Sequence, residues 1–287
     1  FNSDDPNSNF NYDPMEGRIG GGIKYSPSTN FSLDAVFNPD FSQIESDAEQ
    51  ISVNTKFALY YQEKRPFFLV GRELLQTPMY YSRSINNPLA AGRIIGKSGS
   101  LSYLYLGAYD RNTVFVVPGE EESSTVESNM NSLANIGKLR YDFGDENHIG
   151  GLLMSRNLKG GHNYLLGFDW NYKFWENWYF TGEGFLTQTK ELNDSTLLES
   201  DREFGSTGIN ASLDGEEYSG DGIHLVLYHS QKHYNLDLVS NHFSPTYQTY
   251  NGLFNSSGFR EQYMRHTYII YPDSSFLDRT SISLQSQ

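Results

Sequence analysis

The chain has 287 residues, 35 of them acidic and 21 basic, for a formal charge of −14, with no cysteine and 15% aromatic residues. That balance argues against nucleic acid as a partner, because neutralising phosphates needs clustered Lys and Arg. The missing thiols exclude disulfides, thiolate metal ligands and thiol nucleophiles. No run reaches the roughly 18 apolar residues of a spanning helix. A mean hydropathy of −0.56 suits either a water-soluble sheet or a membrane barrel, whose water-facing and lipid-facing residues alternate.

Residues 1–16, rich in Asn, Asp and Ser, read as a linker or leader, and a start at Phe1-Asn2-Ser3 without a basic, apolar signal reads as a cut or processed end. From 17 to 287 the reading is one β-barrel domain. Ile19, Gly21, Ile23 and Tyr25 share one face of a strand, Ser26 to Asn30 turn the chain, and Phe31, Leu33, Ala35 and Phe37 share a face of the next. Residues 39–85 break this alternation and form a polar, aromatic insert. Strands are then expected near 91–98, 100–110, 112–118, 132–143, 147–157, 162–174, 177–189, 204–214, 221–231, 234–241, 246–254, 261–271 and 276–285.

The clearest of them sets Tyr164, Leu166, Phe168, Trp170 and Tyr172 on one face against Asn163, Leu165, Gly167, Asp169, Asn171 and Lys173 on the other. Strands this long, with Phe174, Trp175, Trp178 and Tyr179 gathered at a turn, are what a tilted outer-membrane strand and its interfacial girdle require. A soluble antiparallel sandwich has the same periodicity, and the pattern leaves both open. In the barrel reading, Gly119 to Asn129 and Glu191 to Glu203 become extracellular loops. The end at Ser283-Leu284-Gln285-Ser286-Gln287 lacks a terminal aromatic, so further residues are expected to complete the barrel.

Three blocks in the insert carry a resemblance. They are Asn38-Pro39-Asp40-Phe41-Ser42-Gln43-Ile44-Glu45-Ser46-Asp47, then Glu63-Lys64-Arg65-Pro66-Phe67-Phe68, then Tyr80-Tyr81-Ser82-Arg83-Ser84-Ile85. In this order they resemble the β-barrel domain of unknown activity that follows a carbohydrate-binding family 9-like module in outer-membrane proteins of Bacteroidetes-type bacteria. A weaker likeness extends through Asn241 to Tyr263. The chain departs from the pattern at Val70, where the family has a glutamate before the glycine, and at Ser84, where a second basic residue often stands. The resemblance implies an antiparallel transmembrane β-barrel in a Gram-negative outer membrane, with outer-membrane lipid as its surroundings and envelope proteins or glycans as partners.

Within residues 39–85, Asp40, Glu45, Asp47 and Glu63 stand with Lys64, Arg65, Arg72 and Arg83, too many charges to face lipid unless paired or in water. The expectation is an inward-folded plug or lumen lining held by a carboxylate–guanidinium network. Asp40, Glu45 and Asp47 also offer hard oxygen ligands for calcium, without the spacing of an EF-hand loop. The seven histidines follow no metal-ligand spacing, and no nucleophile elbow, phosphate loop or dinucleotide fingerprint is present. No catalytic residue and no cofactor is therefore offered. Transport, gating or envelope assembly is the leading reading, and the alternatives are a glycan-binding or glycan-processing surface protein and a structural subunit of an envelope complex.

Overall fold

A computed structural model describes residues 19–39, 56–273 and 278–287. The protein is all-β and antiparallel. Its strands are β1 Gly21–Ser28, β2 Phe31–Phe37, β3 Pro88–Ser98, β4 Leu101–Asp110, β5 Thr113–Val117, β6 Ser124–Ser128, β7 Ser132–Phe143, β8 Asn147–Leu158, β9 Gly161–Trp175, β10 Trp178–Lys190, β11 Glu217–Ser230, β12 Tyr234–Phe243, β13 Phe259–Ile270 and β14 Thr280–Ser286. Twelve of them form one sheet in chain order, with β5 and β6 set aside as a separate hairpin between β4 and β7. β1 and β14 are the two ends of that order, so the sheet is open among the described residues.

Alternation makes the two faces of this sheet very different. In register, Leu33, Ile94, Tyr105, Gly137, Leu153, Leu166 and Leu186 form one continuous row across β2 to β10. From this face Tyr105, Leu153, Leu166 and Leu186 are all exposed, along with Leu133, Leu139, Ile149, Tyr164 and Phe168. The neighbouring row, Arg93, Leu106, Ile136, Met154, Leu165 and Thr187, points the other way and is buried. Among the described residues the outward face is therefore an apolar surface without a cover, while the inward face carries the core.

That core is completed by the insert. A four-residue helix α1, Pro66–Leu69, and two 3₁₀ turns, Arg72–Leu74 and Ser82–Ser84, lay Phe67, Phe68, Leu75, Met79 and Ile85 against Leu104, Leu106, Ile136 and Leu152. Pro66 opens α1, where its missing N–H costs nothing. Gly71 follows at φ +83°, so close to the sheet that a Cβ would lie 2.6 Å from Leu104 and 2.9 Å from Ile95. A second core joins the β5–β6 hairpin to the β10–β11 connection through Phe115, Val117, Val126, Leu192, Phe204, Leu213 and Tyr250.

At one end the strands are joined by tight turns, as at 29–30, 99–100, 144–146 and 176–177. At the other lie the insert, the β5–β6 hairpin and the long segments 191–216 and 244–258, together with one tight turn at 159–160.

Three expectations change. The strand expected over 204–214 is a loop with only single bridges, Asn193 to Asp214 and Glu203 to Asn210. Gly205 and Gly208 sit at φ +61° and +75°, and the Thr207, Asn210 and Ser212 side chains take backbone bonds that a ladder would need. The strand expected over 246–254 is a turn segment, in which the Tyr247 and Gly252 N–H groups donate to the carbonyls of Ser244 and Thr249 three residues back instead of to a neighbouring strand. Conversely, β6 lies within 119–129, which the sequence marks as a loop; its Thr125, Val126 and Glu127 pair with Val116, Phe115 and Val114 of β5.

Candidate functional site

Buried arginines hold the insert to the inward face of the sheet. Arg65 donates to both carboxylate oxygens of Glu63, from Nε at 2.9 Å and Nη2 at 2.8 Å, and to the carbonyls of Ser82 and Ile85 at 2.9 and 2.7 Å. The Ser82 hydroxyl also donates to Glu63. Burial alone would raise the Glu63 carboxyl, but the Arg65 hydrogen bonds and charge, with Ser82, outweigh it and leave it below the ordinary range. Arg93 of β3 pairs with Asp34 of β2 while donating to the carbonyls of Phe67 and Val70. Arg156 of β8 pairs with Asp110 of β4 at 2.7 Å and donates to the Ser84 carbonyl at 3.1 Å. Asp110 in turn accepts from the backbone N–H groups of Asn86 and Asn87. Each guanidinium thus joins a carboxylate to a carbonyl of the insert, a use of fixed, multiple donors that lysine cannot reproduce.

Towards the tight-turn end the inward face becomes polar. Arg140, Gly150, Asp169, Glu183, His224, Asn241 and Glu261 form one cross-strand row from β7 to β13. Asp169 pairs with Lys138 and lies 3.5 Å from His148 Nε2. Gly150 leaves room for that carboxylate, since a Cβ there would come within 2.5 Å of it. Thr77 of the insert donates to Glu183 at 3.4 Å. Between Glu73, Gln76 and Thr77 of the insert and this row lies a cleft of about 330 Å³. A second cavity of about 520 Å³, lined by Glu63, Arg72, Gln76, Tyr80 and Tyr81, shares Gln76 and Thr77 with that cleft.

Of the residues expected to form a charge network, Glu63 and Arg65 are brought together and buried. Arg83 donates instead to the Gln62 carbonyl at 3.1 Å, Arg72 is exposed at the rim of the larger cavity, and Lys64 is exposed. Asp40, Glu45 and Asp47, with the calcium reading placed on them, lie outside the described residues. The sequence reading missed Asp34, Arg93, Asp110 and Arg156. Their signal was parity: in β4, Asp110 falls on the same face as Ser102, Leu104, Leu106 and Ala108.

Residues 4–93 match the family model described as a domain of unknown function, DUF5916. This span contains all three blocks of the insert, together with β1, β2 and the start of β3. The match carries no tie to a carbohydrate-binding module or a bacterial group, and it ends before Asn241 to Tyr263. No curated protein and no solved structure matches the chain.

Proposed function

We propose that this sheet is the wall of an outer-membrane β-barrel, with the insert folded into its lumen, and that the protein acts in transport, gating or envelope assembly rather than catalysis. The observation that carries the reading is the exposed apolar outward face. A water-soluble sheet turns polar residues to water, whereas here Leu153, Leu166, Phe168 and Leu186 are exposed, and the opposite face buries Arg93, Lys138 and Arg156 beside its apolar core. Lipid suits the first group, and a lumen filled by the insert suits the second.

Two further features support it. Aromatic rings crowd the tight-turn end of the outward face, where Phe143 stacks on Tyr172, Tyr172 on Phe174, and Phe174 packs against Trp178. Tyr109 and Tyr164 lie towards the opposite end of the outward face, as the second girdle of a membrane barrel would. The four long connections all lie at the end opposite the turns at 29–30, 99–100, 144–146 and 176–177, which matches the asymmetry of outer-membrane barrels, whose short turns face the periplasm. The reading requires the β1 and β14 edges to be closed by further strands, because an open sheet edge is not tolerated in lipid.

The test is to express the complete precursor, fractionate the cells, and run the protein unboiled and boiled on semi-native gels. An outer-membrane protein whose mobility changes only on boiling is the expected result. A protein soluble without detergent would replace the barrel with a soluble sheet that covers its outward face in another way.

A further inference from the structure

We infer that Glu191, Asp214 and Glu216 form a binding site for a divalent cation of the calcium class, at the base of the long β10–β11 connection. One carboxylate oxygen from each residue lies within 4.8 Å of one from each of the others. Oxygens sharing one calcium ion, at 2.3–2.6 Å from it, are at most about 5 Å apart, so a single ion can reach all three. The donor set is hard oxygen without histidine or thiolate, which favours calcium over zinc.

Proximity of acids is common on surfaces, but two buried groups here lack partners. Glu191 is 1% exposed; its Oε1 accepts from the Tyr218 hydroxyl at 2.7 Å, whereas its Oε2 has no hydrogen-bond partner. The Tyr250 hydroxyl, on a fully buried side chain within electrostatic reach of Glu191, is also unpartnered. A buried carboxylate oxygen left bare is destabilising, and a cation with its bound water supplies what both groups lack. Asp214 is exposed and Glu216 half-buried, which leaves an entry path from solvent.

The backbone has already brought the acids together. Glu191 follows β10 directly and its N–H donates to the Glu216 carbonyl at 2.9 Å, while Asp214 bridges to Asn193. Asn210 spends its backbone N–H on Glu216 and its side-chain amide on Asp214, leaving the other oxygen of each carboxylate open. This site shares no residue with Asp40, Glu45 and Asp47, and it does not depend on whether the sheet lies in a membrane.

Terbium luminescence tests it on the full chain, because Tyr218 and Tyr250 sit close enough to sensitise a lanthanide beside Glu191. The expected result is a saturable signal displaced by calcium, weakened roughly tenfold or more in both Glu191→Gln and Asp214→Asn. Calcium should also raise the melting temperature relative to EDTA in the wild type and not in Glu191→Gln. Asp214 is exposed, so its variant remains informative if Glu191→Gln fails to fold. The inference is overturned if the wild type gives no signal that about 10 mM calcium displaces, or if Asp214→Asn binds as the wild type does.

Discussion

Glu63 and Glu191 are 4% and 1% exposed, yet their acidities move in opposite directions. Burial pushes both upwards; Glu63 is rescued by a guanidinium that reaches both its oxygens, whereas Glu191 meets a tyrosine hydroxyl and two more carboxylates. Replacing Arg65 with alanine strips Glu63 of that partner and should cost about 3–5 kcal/mol in denaturant unfolding. The double variant Glu63→Gln/Arg65→Met should cost less, because no charge is left buried alone. The pH dependence of the two carboxylates also differs in sign. Glu63, depressed when folded, stabilises above the unfolded value near 4.5, and that contribution fades as pH falls below it. Glu191 is raised when folded, so in EDTA its contribution is fully present below about 4.5 and is lost as pH rises towards about 8. Glu191→Gln should flatten the second decline and leave the first, as thermal melts across pH 4 to 9 in EDTA would record.

The strands were legible because period-two alternation is a local signal, and β7 to β10 fall within a residue or so of the expected boundaries. What alternation does not carry is which face is covered. Leu165 and Leu166 are adjacent leucines in β9, yet one is buried and the other about half exposed, because the insert covers only one side. Nor does it reveal segments whose backbone is satisfied by side chains, as at Asn210 and Ser212, which is why 204–214 read as a strand. The Glu63–Arg65 pair was visible as two charges in an aromatic segment, but Asp34, Asp110, Arg93 and Arg156 each looked like a single charge in a strand. The outward face provides the test at this scale. If it meets lipid, Leu166→Arg should destabilise the protein by about 2–4 kcal/mol in bilayers; a water-facing position would change stability by no more than about 0.5 kcal/mol. Unfolding titrations in liposomes read the difference directly.

At the scale of the whole molecule, the sheet has an exposed apolar face and an inward face that joins a core to a polar row, and the chain's lack of cysteine makes each face separately addressable. A single thiol introduced at Leu153, Leu166 or Leu186 lies on the outward face, and one at Glu183 or His224 lies in the inward polar row beside the insert. All five positions are in strands, so a difference between the two groups reports face rather than loop mobility. Each variant, labelled with an environment-sensitive fluorophore and reconstituted, is compared in ordinary and brominated lipid. Quenching by bromine requires contact with acyl chains. The outward labels should be strongly quenched and the inward ones left bright, with the inward ones accessible instead to aqueous iodide. Equal behaviour of the two groups would mean that the apolar face does not meet lipid. That result would leave the fold, the arginine anchors and the cation site intact, because all three rest on contacts of the inward face and the β10–β11 connection, which lipid on the outward face neither creates nor removes.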